Sequence, residues 1–207
     1  AKEQEQAIFF NGKGGEYRVT LTEINKKNAF VSADHFEPAD RTPPFKVVLG
    51  QVMSKGDRMD YAIQKATELG VTTIQLLTSE RCEMRLKYDR DQKKIDHWQS
   101  VAIAACEQCG MNIVPKILAP LRLEDWFNSN LPATKLVLAP NKDQVDVLNN
   151  VSKDLALLIG PEGGLSEAEI NAANAVGFEN WCIGSRVLRT ETAPVVALAI
   201  LNYRLAE

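Results

Sequence analysis

The chain has 207 residues, 45% of them hydrophobic and 25% charged, and a formal net charge of −3. This length predicts one domain, or one domain with a small appendage, and the apolar share is sufficient for a sizeable core. The sequence contains no apolar run long enough to span a bilayer and no signal-peptide pattern. The slightly acidic charge argues against a global basic field for nucleic acid. We therefore expect a soluble, cytoplasmic protein that does not contact membranes.

The cysteines indicate neither a disulfide framework nor a redox or metal site. The chain has four, and their spacing fits a reducing compartment. Cys106 and Cys109 form a Cys-x-x-Cys pair, but this pair closes an apolar helical pattern, whereas a thioredoxin-like site has it where a helix begins. A zinc site would need a second pair, and the two histidines, His35 and His97, do not complete one. We expect no metal ion.

Residues 1–42 carry the signals of an antiparallel β segment. Residues 17–24 alternate apolar and polar side chains, residues 29–31 follow as a further strand, and the glycine-rich residues 11–15 predict a turn before them. Prolines between 38 and 44 mark a boundary. Because two or three strands are too few for an independent β domain, either this segment packs on the rest of the chain, or the sequence lacks an N-terminal part.

From residue 45 onward, strand and helix signals alternate. The predicted strands are 46–52, 73–77, 135–138, 155–159 and 181–183. The predicted helices are 59–69, 95–109, 167–176 and 193–203. Ser166 and Glu169 form a capping box before the third helix, and a glycine ends each of the first three. Several strands are short and nearly all apolar, as in buried parallel sheets, so the alternation predicts an α/β fold with a parallel sheet.

Two stretches near the end of the sequence indicate a small-molecule site. Residues 157–166 read Leu-Leu-Ile-Gly-Pro-Glu-Gly-Gly-Leu-Ser, and residues 183–194 read Ile-Gly-Ser-Arg-Val-Leu-Arg-Thr-Glu-Thr-Ala-Pro. Each has a glycine turn between an apolar run and a helix, which exposes backbone N–H groups where α/β proteins bind ligands. The first stretch alone is also typical of a plain turn, since it is neither a P-loop nor a dinucleotide fingerprint. The polar cluster 189–192 favours a site, although Thr190 or Thr192 also suits a helix cap.

Together, the two stretches resemble the RsmE family of 16S ribosomal RNA methyltransferases, SPOUT-class enzymes that methylate N3 of a uridine. Residues 64–71 are similar to the family's first helix, and the resemblance covers about residues 45–207. Further matching segments are 79–81, 98–99, 107–108 and 114–115. Cys109 and Asn112 stand where the family usually has a small hydroxyl and a basic residue, and the second departure puts one phosphate contact in doubt.

The resemblance implies an architecture as well as a reaction. Residues 43–207 would form a SPOUT methyltransferase domain whose C-terminal part is a deep trefoil knot, an exception among folds. Residues 1–42 would be the truncated remnant of a PUA-like RNA-binding β domain. The protein would be a homodimer with each site near the interface, and apolar helix faces around Ile63 and Val196 fit this. Its partner would be 16S ribosomal RNA or the small ribosomal subunit.

The resemblance also implies that S-adenosylmethionine binds in the knot against three loops. The residues concerned are Leu138, Ala139, Ile159, Gly160, Pro161, Gly163, Ile183, Gly184, Ser185, Leu188 and Thr192. Physical chemistry agrees, because backbone N–H and C=O groups can read the edge of an adenine while apolar side chains hold its face. The glycines in these loops let the main chain approach such a ligand closely.

The charged residues of the second stretch fit methyl transfer to uracil N3. That nitrogen holds a proton at neutral pH, so the proton must leave before or during attack, and negative charge spreads onto the flanking carbonyl oxygens. Arg189 is the candidate that stabilises this charge, and Glu191 orients Arg189 or helps to take the proton. Glu162 more readily braces its own loop. The alternative is that Arg189 pairs with Glu191 or Glu162 as a structural brace.

A locally basic segment supplies the candidate RNA contacts. It includes Arg81, Arg85 and Lys87. Such a run is usually a solvated face, but beside an RNA-modifying site it is expected to meet phosphate. Two other functions stay open, since fold alone does not determine function. One is a non-catalytic RNA-binding or assembly factor on the same fold, and the other is a SPOUT enzyme that methylates a ribose 2′-hydroxyl.

Overall fold

The computed structural model describes residues 1–84, 88–139, 147–149 and 151–205, the side chains of 88–91 excepted. These residues form a small antiparallel sheet and a larger sheet with helices. The strands are β1 (Gln6–Phe9), β2 (Glu16–Ile24), β3 (Ala29–Glu37), β4 (Lys46–Val52), β5 (Thr73–Thr78), β6 (Lys116–Arg122), β7 (Thr134–Leu138), β8 (Asp154–Ile159) and β9 (Glu179–Trp181). The helices are α1 (Arg58–Glu68), α2 (Tyr88–Cys109), α3 (Leu123–Phe127), α4 (Glu167–Ala175) and α5 (Thr192–Leu205).

The strands from β4 to β9 form one sheet in the order β6-β5-β4-β8-β7-β9, and all neighbouring pairs are parallel. The predicted α/β fold with a parallel sheet is therefore confirmed. Residues 155–159 of β8 are all buried, as expected for a strand with neighbours on both sides and covered faces. Because parallel strands end at the same edge of a sheet, the carboxyl ends of β7, β8 and β9 lie side by side. The trefoil knot stays a prediction.

The four predicted helices are confirmed, although α2 begins seven residues earlier than predicted, at Tyr88, and polar contacts cap α4 and join α1 to α2. At the start of α4 the capping box is present: Ser166 Oγ accepts from the Glu169 N–H at 3.3 Å, and Glu169 Oε2 accepts from the Ser166 N–H at 2.8 Å. Asp60 ties α1 to α2, because its carboxylate accepts from Trp98 Nε1 at 3.0 Å and lies 2.7 Å from His97 Nε2. A local cap thus supports α4, and a polar contact supports the packing of α1 on α2, in addition to the apolar core.

Three short elements and the position of the last strand differ from the prediction. β9 occupies Glu179–Trp181 instead of 181–183, because the buried Phe178 anchors its start by packing on Trp126, with ring centroids 5.6 Å apart. The sequence patterns do not predict β1, β6 or α3. Within β6, Pro120 removes a backbone donor, which is tolerated because β6 lies at the edge of the sheet.

The N-terminal strands β1, β2 and β3 form the predicted antiparallel sheet, which packs on the α/β unit through a buried asparagine. The Asn112 side-chain amide donates to the Ala39 carbonyl at 2.7 Å, and its oxygen accepts from the Arg41 N–H at 3.3 Å. Arg41 in turn donates twice to Glu16 of β2, at 2.7 and 2.8 Å. Asn112 is therefore a structural tie at the position where the family resemblance leads one to expect a basic residue.

The buried thiol of Cys106 is poorly suited to redox or metal chemistry. Burial raises the pKa of Cys106 to about 11, which opposes formation of the reactive thiolate. Within the described ranges, no three His, Cys, Asp or Glu side chains group as metal ligands would. None of the helices in the same ranges combines the length and apolarity needed to cross a membrane.

Candidate functional site

The loops that carry the two sequence motifs meet at the carboxyl edge of the parallel sheet. The first loop follows β8 and the second follows β9, and β7 lies between these two strands. In the strand register Val137 pairs with Leu158 and Leu138 pairs with Trp181, and the Ala139 N–H donates to the Trp181 carbonyl at 3.3 Å. The topology thus brings the ends of β7, β8 and β9, where the predicted cofactor residues lie, to one place.

The predicted cofactor residues differ in how far they are enclosed. The structure buries Ala139, Ile159 and Pro161, and it leaves Leu138, Ile183, Leu188 and Thr192 partly buried. Gly163, Gly184 and Ser185 are exposed. The predicted cofactor residues thus range from buried apolar residues at the strand ends to exposed residues in the loops that follow.

A threonine hydroxyl joins the two motif loops. Thr190 Oγ1 of the second loop donates to the Gly160 carbonyl of the first at 2.8 Å, and it accepts from Gln51 Nε2 at 3.2 Å. Thr190 was a candidate helix cap, but the N–H groups of Thr192 and Ala193 instead bond the Arg189 carbonyl at 2.9 Å each. Sequence analysis did not find this contact, although a glutamine in the apolar run 46–52 was a visible signal.

The glycines of the two loops fit a close approach of the main chain to a ligand. At Gly160 a Cβ would lie 3.1 Å from Leu165 Cγ and 3.2 Å from the Leu165 nitrogen, so even alanine would push on the loop. Gly184 has φ +69°, the left-handed region, and nothing lies within 4 Å of where its Cβ would be. The exposed Gly164 and Gly184 leave main chain open in both loops, which fits an adenosyl cofactor, whereas the space at Gly160 is taken by Leu165 of the same loop.

A chain of charged side chains crosses from the first motif loop to the second. Arg58, at the start of α1, lies 2.6 Å from Glu162 and 4.0 Å from Glu191. Glu191 also lies 4.0 Å from Arg189. The Arg189 side chain is 78% exposed, whereas that of Glu191 is 16% exposed. The Arg189 side chain is therefore tethered only loosely by its loop. Arg58, which sequence analysis missed, is the residue that braces Glu162.

A cleft of about 440 Å³ borders the first motif loop and is lined by cations and carboxylates. In it, Arg81 donates to the Gly163 carbonyl at 3.1 Å, and Lys55 pairs with Glu83 at 2.7 Å. This hydrogen bond raises the pKa of Lys55 and lowers the pKa of Glu83. Of the predicted RNA contacts, Arg81 is thus beside the first loop, and Arg85 and Lys87 lie outside the described residues.

Comparison with known proteins gives one consistent match. A family model described as an RNA methyltransferase domain matches residues 41–202. Ribosomal RNA small subunit methyltransferase E of Buchnera aphidicola subsp. Acyrthosiphon pisum is 38% identical over 196 residues, which are 94% of this chain and 78% of the relative. The Bacillus subtilis protein of the same name is 29% identical over 212 residues, 98% of this chain and 83% of the relative.

A solved structure shows the same similarity in three dimensions. The crystal structure of a ribosomal RNA small subunit methyltransferase E from Neisseria gonorrhoeae, bound to S-adenosyl methionine, superposes with a TM-score of 0.88 at 35% sequence identity. The superposition covers 98% of this chain and 84% of the other. Sequence and structure therefore agree on which proteins this chain is similar to.

Proposed function

This chain belongs to the ribosomal RNA small subunit methyltransferase E family, and from that membership we propose that it methylates N3 of a uridine in 16S ribosomal RNA with S-adenosylmethionine as methyl donor. The observation that carries the proposal is the joining of the two glycine loops at one sheet edge through Thr190 and Gly160. Relatives named as small-subunit ribosomal RNA methyltransferases, one of them bound to S-adenosyl methionine, support the methyl transfer to ribosomal RNA.

The loop residues named above are those we propose to hold the cofactor. They are Leu138, Ala139, Ile159, Gly160, Pro161, Gly163, Ile183, Gly184, Ser185, Leu188 and Thr192. S-adenosylmethionine supplies a methyl group on a positively charged sulfur, which a nitrogen nucleophile can attack. The protein's contribution is then mainly positioning, since an in-line transfer needs correct placement of the two reacting atoms more than elaborate chemistry.

We propose Arg189 and Glu191 as the residues that act on the uracil. Arg189 is exposed and tethered only loosely to Glu191, so its guanidinium is free to pair with a uracil carbonyl as negative charge develops there. Glu191 is largely buried and lies 4.0 Å from both Arg58 and Arg189, a position from which it can orient Arg189 or take the N3 proton. Glu162 is engaged by Arg58 and serves as a brace.

RNA binding is assigned to both parts of the chain. We propose that residues 1–42 act as a PUA-like RNA-binding segment and that residues 43–207 form the SPOUT methyltransferase domain. Arg81, Arg85 and Lys87 would meet phosphate beside the first loop. Because the net charge is −3, these contacts form local patches, and RNA affinity should fall with salt with a modest slope. A ribosomal RNA substrate places the proposed activity in the cytoplasm.

We also propose that the protein is a homodimer. Ile63, one basis for that expectation, is buried inside the chain with 1% of its surface exposed, so it does not contribute an outer face. The outward stripe of α5 does: Val196 and Ile200 are partly buried, and Tyr203 is 79% exposed. These residues recur at helical spacing, so a second copy could cover them together.

Nucleoside analysis of the RNA product tests the proposed reaction. Small-subunit RNA from cells lacking the enzyme is incubated with the protein and S-adenosylmethionine, digested and examined by mass spectrometry. The proposal requires 3-methyluridine. A 2′-O-methylated ribose would show the alternative SPOUT chemistry, and RNA binding without cofactor binding or methylation would show the non-catalytic factor. An Arg189→Ala control run in parallel excludes a contaminating activity.

A further inference from the structure

A buried glutamine outside both motifs contacts the residue that joins the motif loops. Gln51, near the carboxyl end of the central strand β4, is 1% exposed. Its side-chain nitrogen donates to the Val52 carbonyl at 3.1 Å and to Thr190 Oγ1 at 3.2 Å. Because the Val52 carbonyl can only accept, the NH₂ group of Gln51 must face this side.

These contacts leave the Thr190 hydroxyl one direction for its proton. A hydroxyl has a single proton and can also accept. Since Gln51 donates to the Thr190 oxygen, the Thr190 proton is directed to the Gly160 carbonyl, 2.8 Å away. The hydrogen bonds therefore run from the Gln51 amide through the Thr190 hydroxyl to the accepting Gly160 carbonyl, and they connect β4 with the first residue of the first motif loop.

We propose that Gln51 is a positioning residue for the cofactor loops: it fixes the Thr190 hydroxyl and thereby the spacing between the two loops. The inference rests on the proposed function, because it takes these loops to be where S-adenosylmethionine binds. Gln51 is not a catalytic residue, since its contacts are with the protein's own Val52 and Thr190.

The oxygen of the Gln51 side-chain amide indicates that Gln51 positions Thr190 more than it stabilises the fold. Gln51 Oε1 is buried and has no hydrogen-bond partner among the described residues. An unpaired buried oxygen is unfavourable, and it offsets much of what the two donated hydrogen bonds contribute to stability. Replacement by an apolar residue of similar size should therefore leave the folding stability nearly unchanged while it removes the constraint on Thr190.

A second buried glutamine provides a matched control. Gln75 lies in the neighbouring strand β5, is 4% exposed, and donates to the Leu76 carbonyl at 3.0 Å and to the Ala119 carbonyl of β6 at 2.6 Å. Like Gln51, it bonds the carbonyl of the next residue, but its second bond leads away from the motif loops. Gln75→Leu thus tests the loss of a buried glutamine from this sheet without touching Thr190.

The first experiment measures S-adenosylmethionine affinity by calorimetry and the thermal midpoint of the protein alone. For Gln51→Leu we expect affinity about tenfold weaker than in the wild type, because one constraining hydrogen bond is lost. Gln75→Leu should bind like the wild type. Equal affinity of the wild type and Gln51→Leu would overturn the inference. A wild type that does not bind S-adenosylmethionine would instead refute the proposed function.

A comparison of Gln51→Glu with Gln51→Leu tests whether the Thr190 proton is directed to the Gly160 carbonyl. In Gln51→Glu the carboxylate competes for the Thr190 proton, so Gly160 loses its donor and affinity should fall further than in Gln51→Leu. Burial raises the pKa of such a carboxyl. Lowering the pH should therefore restore a donor and bring the affinity of Gln51→Glu back towards that of Gln51→Leu, whereas a merely structural defect would not recover. A pH-independent deficit would contradict the inference.

A double-mutant cycle closes the test if Gln51→Glu fails to fold. Thr190→Val removes the hydroxyl through which Gln51 is proposed to act. In that background Gln51→Leu should cause no further loss of S-adenosylmethionine affinity, because residues that act as one unit are not additive. Additive losses from the two substitutions would mean that Gln51 acts independently of Thr190, and the inference would be wrong.

Discussion

Replacement of Arg189 tests the proposed reaction most directly, because the structure separates the two roles that the sequence left open. The Arg189 side chain is 78% exposed and lies 4.0 Å from Glu191. An exposed ion pair of this kind contributes about 0–1 kcal/mol to stability. The brace between α1 and the first loop is Arg58, 2.6 Å from Glu162. If Arg189 served only as a second brace, its removal would therefore change little.

The expected effect on the reaction is much larger than the effect on the fold. Loss of one donor that stabilises a developing negative charge typically lowers a rate by about 10²–10³. We expect a fall of that size in the single-turnover methylation rate of Arg189→Ala at saturating S-adenosylmethionine and RNA. Its thermal midpoint should shift by at most about 4 °C, as a loss of up to about 1 kcal/mol implies at this chain length. Arg189→Lys keeps the charge but loses the planar fork, so it should also be impaired.

Arg186 provides the control for this measurement. It is another exposed arginine of the second loop, so Arg186→Ala removes the same charge from nearly the same place. S-adenosylmethionine affinity should survive both Arg189 substitutions. A near wild-type rate for Arg189→Ala would remove Arg189 from the mechanism. Equal rate losses in Arg186→Ala and Arg189→Ala would show a general electrostatic effect instead of a specific donor.

Three further predictions concern the loops, the N-terminal sheet and the dimer. Gly184 and Gly110 have φ +69° and +83°, and nothing lies within 4 Å of where a Cβ would be at either position. Alanine at either position should therefore cost about 1–2 kcal/mol of stability. Only Gly184→Ala should weaken S-adenosylmethionine binding in calorimetry. Hydrogen bonding to Arg41 lowers the pKa of Glu16 from its ordinary 4.5. The stability that this pair contributes above pH about 4.5 should therefore be lost as the pH falls through the lower pKa of the folded protein. Thermal melts at acid pH should show a smaller loss of stability for Glu16→Gln than for the wild type. Tyr203, 79% exposed on α5, should be needed for the dimer, so light scattering should find Tyr203→Glu monomeric. Equal S-adenosylmethionine affinity of the two glycine variants would contradict the first prediction. An acid-stability profile of Glu16→Gln like that of the wild type would contradict the second, and an unchanged mass of Tyr203→Glu in light scattering would contradict the third.

The sequence predicts those parts of the fold in which each element carries its own signal. β8 is a continuous apolar run because both of its faces and both of its edges are covered. The start of α4 is predicted by the capping box that Ser166 and Glu169 form. β6 carries no such signal, since it is an edge strand with exposed residues and a proline. β9 was placed two residues late because the contact that starts it, between Phe178 and Trp126, joins distant parts of the chain.

The same distinction applies to the candidate site. The glycine loops and Arg189 to Thr192 are visible as motifs because they are contiguous in sequence. Gln51 and Arg58 are not, because each reaches the motif loops only through the fold: Gln51 contacts Thr190, and Arg58 contacts Glu162. The glutamine stands out in an apolar strand, but nothing local shows that it contacts Thr190, and a lone arginine at a helix start has no local pattern that links it to Glu162.

The two sides of the candidate site are built differently, and this difference predicts how salt affects the binding of each ligand. On the side that we propose for the cofactor, Gln51 and Thr190 are buried and hydrogen-bonded, so on this proposal the spacing of the loops is set before any ligand binds. On the side that we propose for the RNA, Arg189 is exposed, and Val187, two residues earlier, is fully exposed. A preorganised half loses little conformational entropy on binding, whereas the exposed half must be ordered by its partner. Salt should therefore weaken RNA binding while it leaves cofactor affinity nearly unchanged, because only the RNA half relies on exposed charge.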